Sequence, residues 1–142
     1  MASIVQLQKA EENTVGEVNA LLAQLSPDYK SISLSELAKM LAHPDIELWV
    51  VRDGEHVVGI ATLIEVHKLS GSSCLVEHVV VDEGYRGQGL GEALMKKMIE
   101  RARARGAGAV GLTSRPSRTA ANKLYKKLGF VIRETNVYRM EL

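Results

Sequence analysis

The chain is poor in cysteine, in aromatic rings and in net charge. A single cysteine, Cys74, excludes an intrachain disulfide, and His43, His56, His67 and His78 show no spacing typical of a zinc site, so no metal is expected. Lys and Arg total 18 against 17 for Asp and Glu, which leaves no overall field to attract nucleic acid or a membrane surface. The longest uncharged apolar run, Val57 to Ile64, is too short to span a bilayer, and "MASIVQLQKAEENTV" lacks the basic start and apolar core of a signal peptide. A reducing, cytoplasmic setting is the expectation. A hydrophobic content of 46% over 142 residues suffices for one core, so residues 1–142 are expected to form one domain.

What is present alternates between periods of two and of about four. "SIVQLQKA" reads as an opening strand, and Glu17 to Leu25 as a helix with Val18, Leu21, Leu22 and Leu25 on one face. In "SLSELAKMLAHP" Ser33 with Glu36 three residues later forms a capping box, and Pro44 closes the helix. "IELWVVRDGEHVVGIATLIEVHKL" holds two apolar runs around Asp53-Gly54, a dipeptide favoured where both turn residues need positive φ, and predicts a hairpin. Leu75 to Val81 reads as a central strand interrupted by the polar pair Glu77 and His78. Leu90, Leu94, Met98 and Ala102 then make one helical stripe that ends toward Gly106. "AVGLTS" predicts a strand, Thr119 to Leu128 a helix and "FVIRETNVYRMEL" a final hairpin. The fold class is α+β: a mixed, largely antiparallel sheet with a parallel βαβ piece.

Between strand and helix stands "YRGQGLG", with glycines at 87, 89 and 91. A helix start presents N–H groups that have no partner within the helix, and glycines let an anion approach them without a Cβ clash. The spacing excludes two familiar phosphate binders. A dinucleotide fold wants G-x-G-x-x-G, yet Glu92 follows Gly87-x-Gly89 and Leu94 follows Gly89-x-Gly91 at the required place, and no G-x-x-x-x-G-K-[ST] occurs.

What remains, Arg86-x-x-Gly89-x-Gly91 after "VVVDEGY", resembles the acyl-CoA signature Q/R-x-x-G-x-G/A of the GNAT N-acetyltransferases. "AANKLYKKLGF" is similar to that family's late helix, with Tyr125 four residues ahead of Gly129-Phe130. The resemblance runs from about Glu47 to the C-terminus and implies a GNAT-like sheet of six to seven strands flanked by about four helices. It implies acetyl-CoA as cosubstrate, its pyrophosphate cradled by the turn Arg86, Gly87, Gln88, Gly89, Leu90, Gly91 and Glu92. The main chain of Val79, Val80 and Val81 would pair with the pantetheine arm as an added strand. The implied activity is direct acetyl transfer to a primary amine; a non-catalytic acyl-CoA sensor is the alternative.

Such a reaction needs a neutral amine and a protonated leaving thiol. Tyr125 matches the family's tyrosine, and a phenol with an ordinary pKa near 10 can donate a proton at neutral pH. Glu77 is the candidate base, since burial on an apolar strand pushes a carboxylate upward. Its other role is structural, paired with His78, His67 or an arginine. His78 points to the opposite face unless a bulge breaks the alternation. Where the family often carries Asn seven residues before the tyrosine, this chain has Arg118, and Asn122 lies three before it as a cofactor contact; Arg118 and Arg115 either reach an anion or are solvated. Cys74 reads as core, with no base placed to activate it. The acceptor, a small molecule or a peptide amine, would lie among the early helices, "LSPDYKSIS" and the last hairpin, including Tyr29 and Tyr138. A homodimer is compatible with a terminal hairpin of this kind.

Overall fold

The computed structural model describes residues 2–142. Two compact units meet in the chain, one ending at Leu112 and the other Thr113–Leu142. The first contains β1 (Ala2–Leu7), α1 (Glu12–Leu25), α2 (Leu34–Ala42), β2 (Ile46–Asp53), β3 (His56–Lys68), β4 (Gly71–Val81), α3 (Leu90–Ala104) and β5 (Val110–Gly111), and the second contains α4 (Thr119–Lys127). The sheet has five strands in the order β1-β2-β3-β4-β5. Neighbours are antiparallel except β4 and β5, which are parallel, as the helical crossover between them requires.

Alternation along the strands sorts the two faces. Leu48, Val50, Val57, Ile60 and Val80 join Val15, Val18 and Leu21 of α1 and Leu37 of α2 in one core. Odd-numbered Glu47, Trp49 and Val51 of β2 face the other way, where α3 buries Leu94, Met95, Met98 and Ala102. Cys74 is fully buried, and burial pushes its thiol up, as suits a core side chain. The capping box at Ser33 forms in full: its Oγ accepts from Glu36 N at 3.1 Å and its N–H donates to Glu36 Oε1 at 3.1 Å.

Three boundaries differ from expectation. The β2–β3 turn is centred on Gly54 and Glu55, and only Gly54 takes positive φ (61°). α1 begins at Glu12, a turn earlier than its apolar stripe suggests, because Thr14 and Val15 are also buried. The sheet has five strands rather than six or seven, because the stretch expected as a final hairpin, Phe130–Leu142, lies in no strand. β5 pairs over two residues only. Gly106, Gly108 and Gly111 interrupt the apolar run around it, and glycine is a weak strand former with no side chain to pack. An isolated hairpin of its own is marginal in water.

Candidate active site

β4 carries the main irregularity of the sheet. Thr62 pairs with Glu77 and Ile60 with Val80, so two steps along β3 are matched by three along β4. The extra residue is a β-bulge, and His78 within it has φ 52°, the only positive φ outside glycine among the described residues. Ile60 and Val80 both belong to the core under α1 and α2. Thr62 shares the face of Ile60, and Glu77 lies opposite Thr62, so Glu77 projects to the same side. It is half-buried and makes no hydrogen bond or ion pair among the described residues. Of the structural pairings open to it in the sequence, His67 is taken elsewhere, its Nε2 meeting Asp45 Oδ1 at 3.0 Å.

His78 is brought to the α1–α2 side as well. Its ring meets Tyr29, from the α1–α2 loop, edge-on with centroids 5.4 Å apart. That loop is pinned to α1 by a reciprocal pair: Asn19 Nδ2 donates to Ile32 O at 3.0 Å and Ile32 N to Asn19 Oδ1 at 2.8 Å. Tyr29 and His78 therefore flank Glu77, and period-two alternation, which sends His78 to the opposite face, fails at the bulge.

β5 accompanies β4 only at Cys74 and Leu75. From Val76 to Val81 the edge of β4 on that side has no ladder partner among the described residues, and Val79, Val80 and Val81 lie along it. The open edge runs into the glycine turn, which is anchored from three directions. Gln24 at the end of α1 donates to Asp82 Oδ1 at 2.7 Å and accepts from Glu83 N at 3.0 Å. Tyr85 OH donates to Asp53 Oδ2 at 2.6 Å, which raises the phenol's pKa and lowers that of the carboxyl. Arg86 Nε bends back to Val81 O at 3.0 Å. Gly87 and Gly89 take φ of 80° and 78°, and a Cβ built at either meets nothing within 4 Å, so the chain leaves open space before α3. The first bond of that helix runs from Ala93 N to Gly89 O at 3.0 Å, so the amides of Leu90 and Gly91 have no partner within it. Glu92 forms an ion pair with Lys96 at 3.3 Å.

In the second unit, Tyr125 is 7% exposed and meets Phe130 edge-on at 6.1 Å. Asn122 Nδ2 donates to the carbonyls of Arg115 (2.9 Å) and Arg118 (2.8 Å), tying down the turn ahead of α4. The Arg115 and Arg118 side chains are exposed, and Tyr138 is 88% exposed.

Sequence reasoning passed over Glu47. It is buried on β2, and its oxygens accept from Arg101 Nε (2.9 Å) and Nη2 (3.1 Å), Arg105 Nε (2.6 Å) and Trp49 Nε1 (2.8 Å). Burial alone pushes the carboxyl up, and the hydrogen bonds from Arg101, Trp49 and Arg105 override it, bringing the pKa down to about 2. The available signal was a carboxylate in an apolar strand together with two arginines one helical turn apart. Next to this network Asp45, Glu65 and His67 gather, but Arg105 Nη1 holds Glu65 at 2.8 Å and His67 bonds to Asp45.

A bulged, partly unpaired strand thus leads into a glycine-lined helix start. Residues 16–130 match the profile described as the Acetyltransferase (GNAT) family. The chain belongs to that family, whose members transfer an acyl group to an amine. It is 30% identical over 97% of its length to glucosamine 6-phosphate N-acetyltransferase of Trypanosoma brucei brucei, and covers 96% of that protein. It is 42% identical over 37% of its length to the ribosomal protein bS18-alanine N-acetyltransferase of Escherichia coli K12, of which the matched stretch covers 36%. A crystal structure of a Trypanosoma brucei acetyltransferase superposes with a TM-score of 0.81 at 30% identity, covering 100% of both chains. Among the described residues no helix is long and apolar enough to cross a membrane.

Proposed function

We propose that the chain, acting as one cytoplasmic domain, transfers the acetyl group of acetyl-CoA directly to a primary amine, and that the opened edge of β4 is where the donor lies. The supporting observation is continuity: the unpaired stretch at Val79, Val80 and Val81 leads within one turn into Gly87, Gln88, Gly89, Leu90, Gly91 and Glu92. The pantetheine amides add to the strand edge, and the pyrophosphate meets the amides and dipole of α3. Arg86 holds the glycine turn, and Asn122, assigned to the cofactor as well, holds the turn ahead of α4. Glu77, half-buried and without a partner, takes the proton of the attacking ammonium, directly or through a water. The amine nitrogen then bonds to the thioester carbon, the C–S bond breaks, Tyr125 gives its proton to the departing thiolate, and the second proton lost by the nitrogen restores the phenol through solvent. Tyr29 and His78 border the acceptor side. The trypanosomal relative's name points to an amino sugar phosphate and the bacterial one's to a peptide amine, and the acceptor here belongs to one of these classes.

Thermal unfolding with acetyl-CoA, with NADH and ATP as controls, tests the reading. Donor at about a hundred times its Kd adds about 2.7 kcal/mol, a shift of several degrees in a domain of this size. A shift with acetyl-CoA alone, followed by amine-dependent thiol release that Glu77→Gln and Tyr125→Phe reduce at unchanged donor affinity, is the expected result. No shift at saturating acetyl-CoA would overturn it.

A further inference from the structure

Gln24 stands in the last turn of α1 and is exposed, a position at which a glutamine ordinarily keeps its rotamer freedom. Here both ends of its amide are engaged by one short stretch of chain. Nε2 donates to Asp82 Oδ1 at 2.7 Å and Oε1 accepts from Glu83 N at 3.0 Å, a fit that needs an amide, since the carboxylate accepts and the N–H donates. Asp82 is the joint between β4 and the glycine turn. Its N–H donates to Val58 O of β3 at 2.8 Å, its Oδ2 accepts from Gly84 N at 3.0 Å and its carbonyl accepts from Tyr85 N at 2.8 Å. Just past Gln24, α1 ends and the loop 26–33 begins. Residues 27–31 of that loop are all exposed, its far end is held by Asn19 at Ile32, and Tyr29 rests on His78. The end of α1 and its loop therefore hold β4 at two points, His78 and Asp82, with Val79, Val80 and Val81 between them.

We propose that Gln24 is a positioning residue: a donor seated on the glycine turn orders the acceptor-side loop 26–33 through it. The inference rests on the reading of the open β4 edge and the turn as the acetyl-CoA site, and adds a coupling between the two sides of that site. A ligand that lines Val79, Val80 and Val81 and closes on the amides of the turn fixes Asp82 and Glu83, the two residues that Gln24 bonds. A fixed Gln24 fixes the last turn of α1. From there Ser26 N bonds back to Leu22 O at 3.0 Å, and Tyr29 N to Ser26 O at 3.3 Å. A loop of exposed residues lies at the low-stability end of a fold, so a small bias at its root shifts its population. The coupling is reciprocal: what the donor gives to loop order, an acceptor held by that loop gives back to donor affinity.

Hydrogen exchange of the full chain, with and without saturating acetyl-CoA, reads the coupling. The amides of 28–31 should exchange about fivefold more slowly with acetyl-CoA present, alongside those of the turn, 83–92. In Gln24→Ala the turn should still be protected, while the ratio for the loop falls to about one, the uncoupled value. A merely structural role would loosen the loop equally in both states and leave that ratio as it was. Gln24→Glu sets a carboxylate against Asp82 and should uncouple the loop as well. Gln24→Glu with Asp82→Asn rebuilds both hydrogen bonds, the one to residue 82 with its direction reversed, and should restore the ratio. Protection of the turn with no change in the loop overturns the inference alone, as does a Gln24→Ala ratio equal to the parent's or a double variant that stays uncoupled. A turn that saturating acetyl-CoA leaves unprotected overturns the donor reading, and the inference with it.

Discussion

At His78 a side chain is kept where the backbone disfavours one. With φ at 52°, an L residue there costs about 1–2 kcal/mol relative to the right-handed region, and glycine would cost little. The edge-on contact with Tyr29 returns about 0.5–1.5 kcal/mol of this. The two contributions separate by substitution. His78→Ala loses the ring contact and keeps the strained φ, whereas His78→Gly loses the contact and relieves the strain. Even after the extra chain entropy of glycine, the Gly variant should be about 0.5–1 kcal/mol more stable than the Ala variant, read from urea unfolding midpoints. Equal stabilities would mean that the bulge relaxes and that the strain is not held by the sheet.

Among the elements, the glycine turn is the one whose chemistry stood in the sequence. Its glycines, helix former run and Arg86 are contiguous, so spacing alone could separate it from the dinucleotide and P-loop patterns. Two of its supports are not contiguous: Gln24 and Asp53 reach it from distant parts of the chain, and no local pattern announces them. The bulge was equally hidden, because one extra residue in "VEHVVV" leaves the apolar pattern of the strand intact. A matched pair of substitutions tests what the turn is for. Gly89 and Gly106, at opposite ends of α3, take φ of 78° and 75° with open space at the Cβ position. Ala at either should cost about 1 kcal/mol of stability for the same backbone reason. Only Gly89→Ala should also raise the KM for acetyl-CoA, by tenfold or more, since its Cβ enters the space assigned to the pyrophosphate. Equal KM values in the two variants would remove the turn from the donor site.

Over the whole molecule, the α+β class, the element order and the capped second helix were legible because each rests on short-range periodicity. The number of strands was not, since "FVIRETNVYRMEL" has strand chemistry yet lies in no strand, and β5 pairs over two residues only. Glu47 shows the other limit: its meaning depends on Arg101 and Arg105 arriving from a distant helix, and through Arg105 and Glu65 it ties β2, β3 and α3 together. This tie should govern acid stability. The Glu47 carboxyl is 3% exposed and titrates at about 2 in the folded chain against an ordinary 4.5. A folded pKa below the unfolded one contributes stability that is complete above about pH 4.5 and is lost as pH falls toward 2, here on the order of 3 kcal/mol. Glu36, Asp45 and Asp53 are also lowered and add to the acid sensitivity of any variant that keeps them. Glu47→Gln isolates the one term. The variant should be less stable than the parent at pH 7, with two arginines facing a neutral amide, and the two should converge as pH approaches 2. Urea unfolding at steps from pH 7 to pH 2 reads the gap directly, and a gap that stays constant with pH would mean that Glu47 is not held as a carboxylate by those arginines.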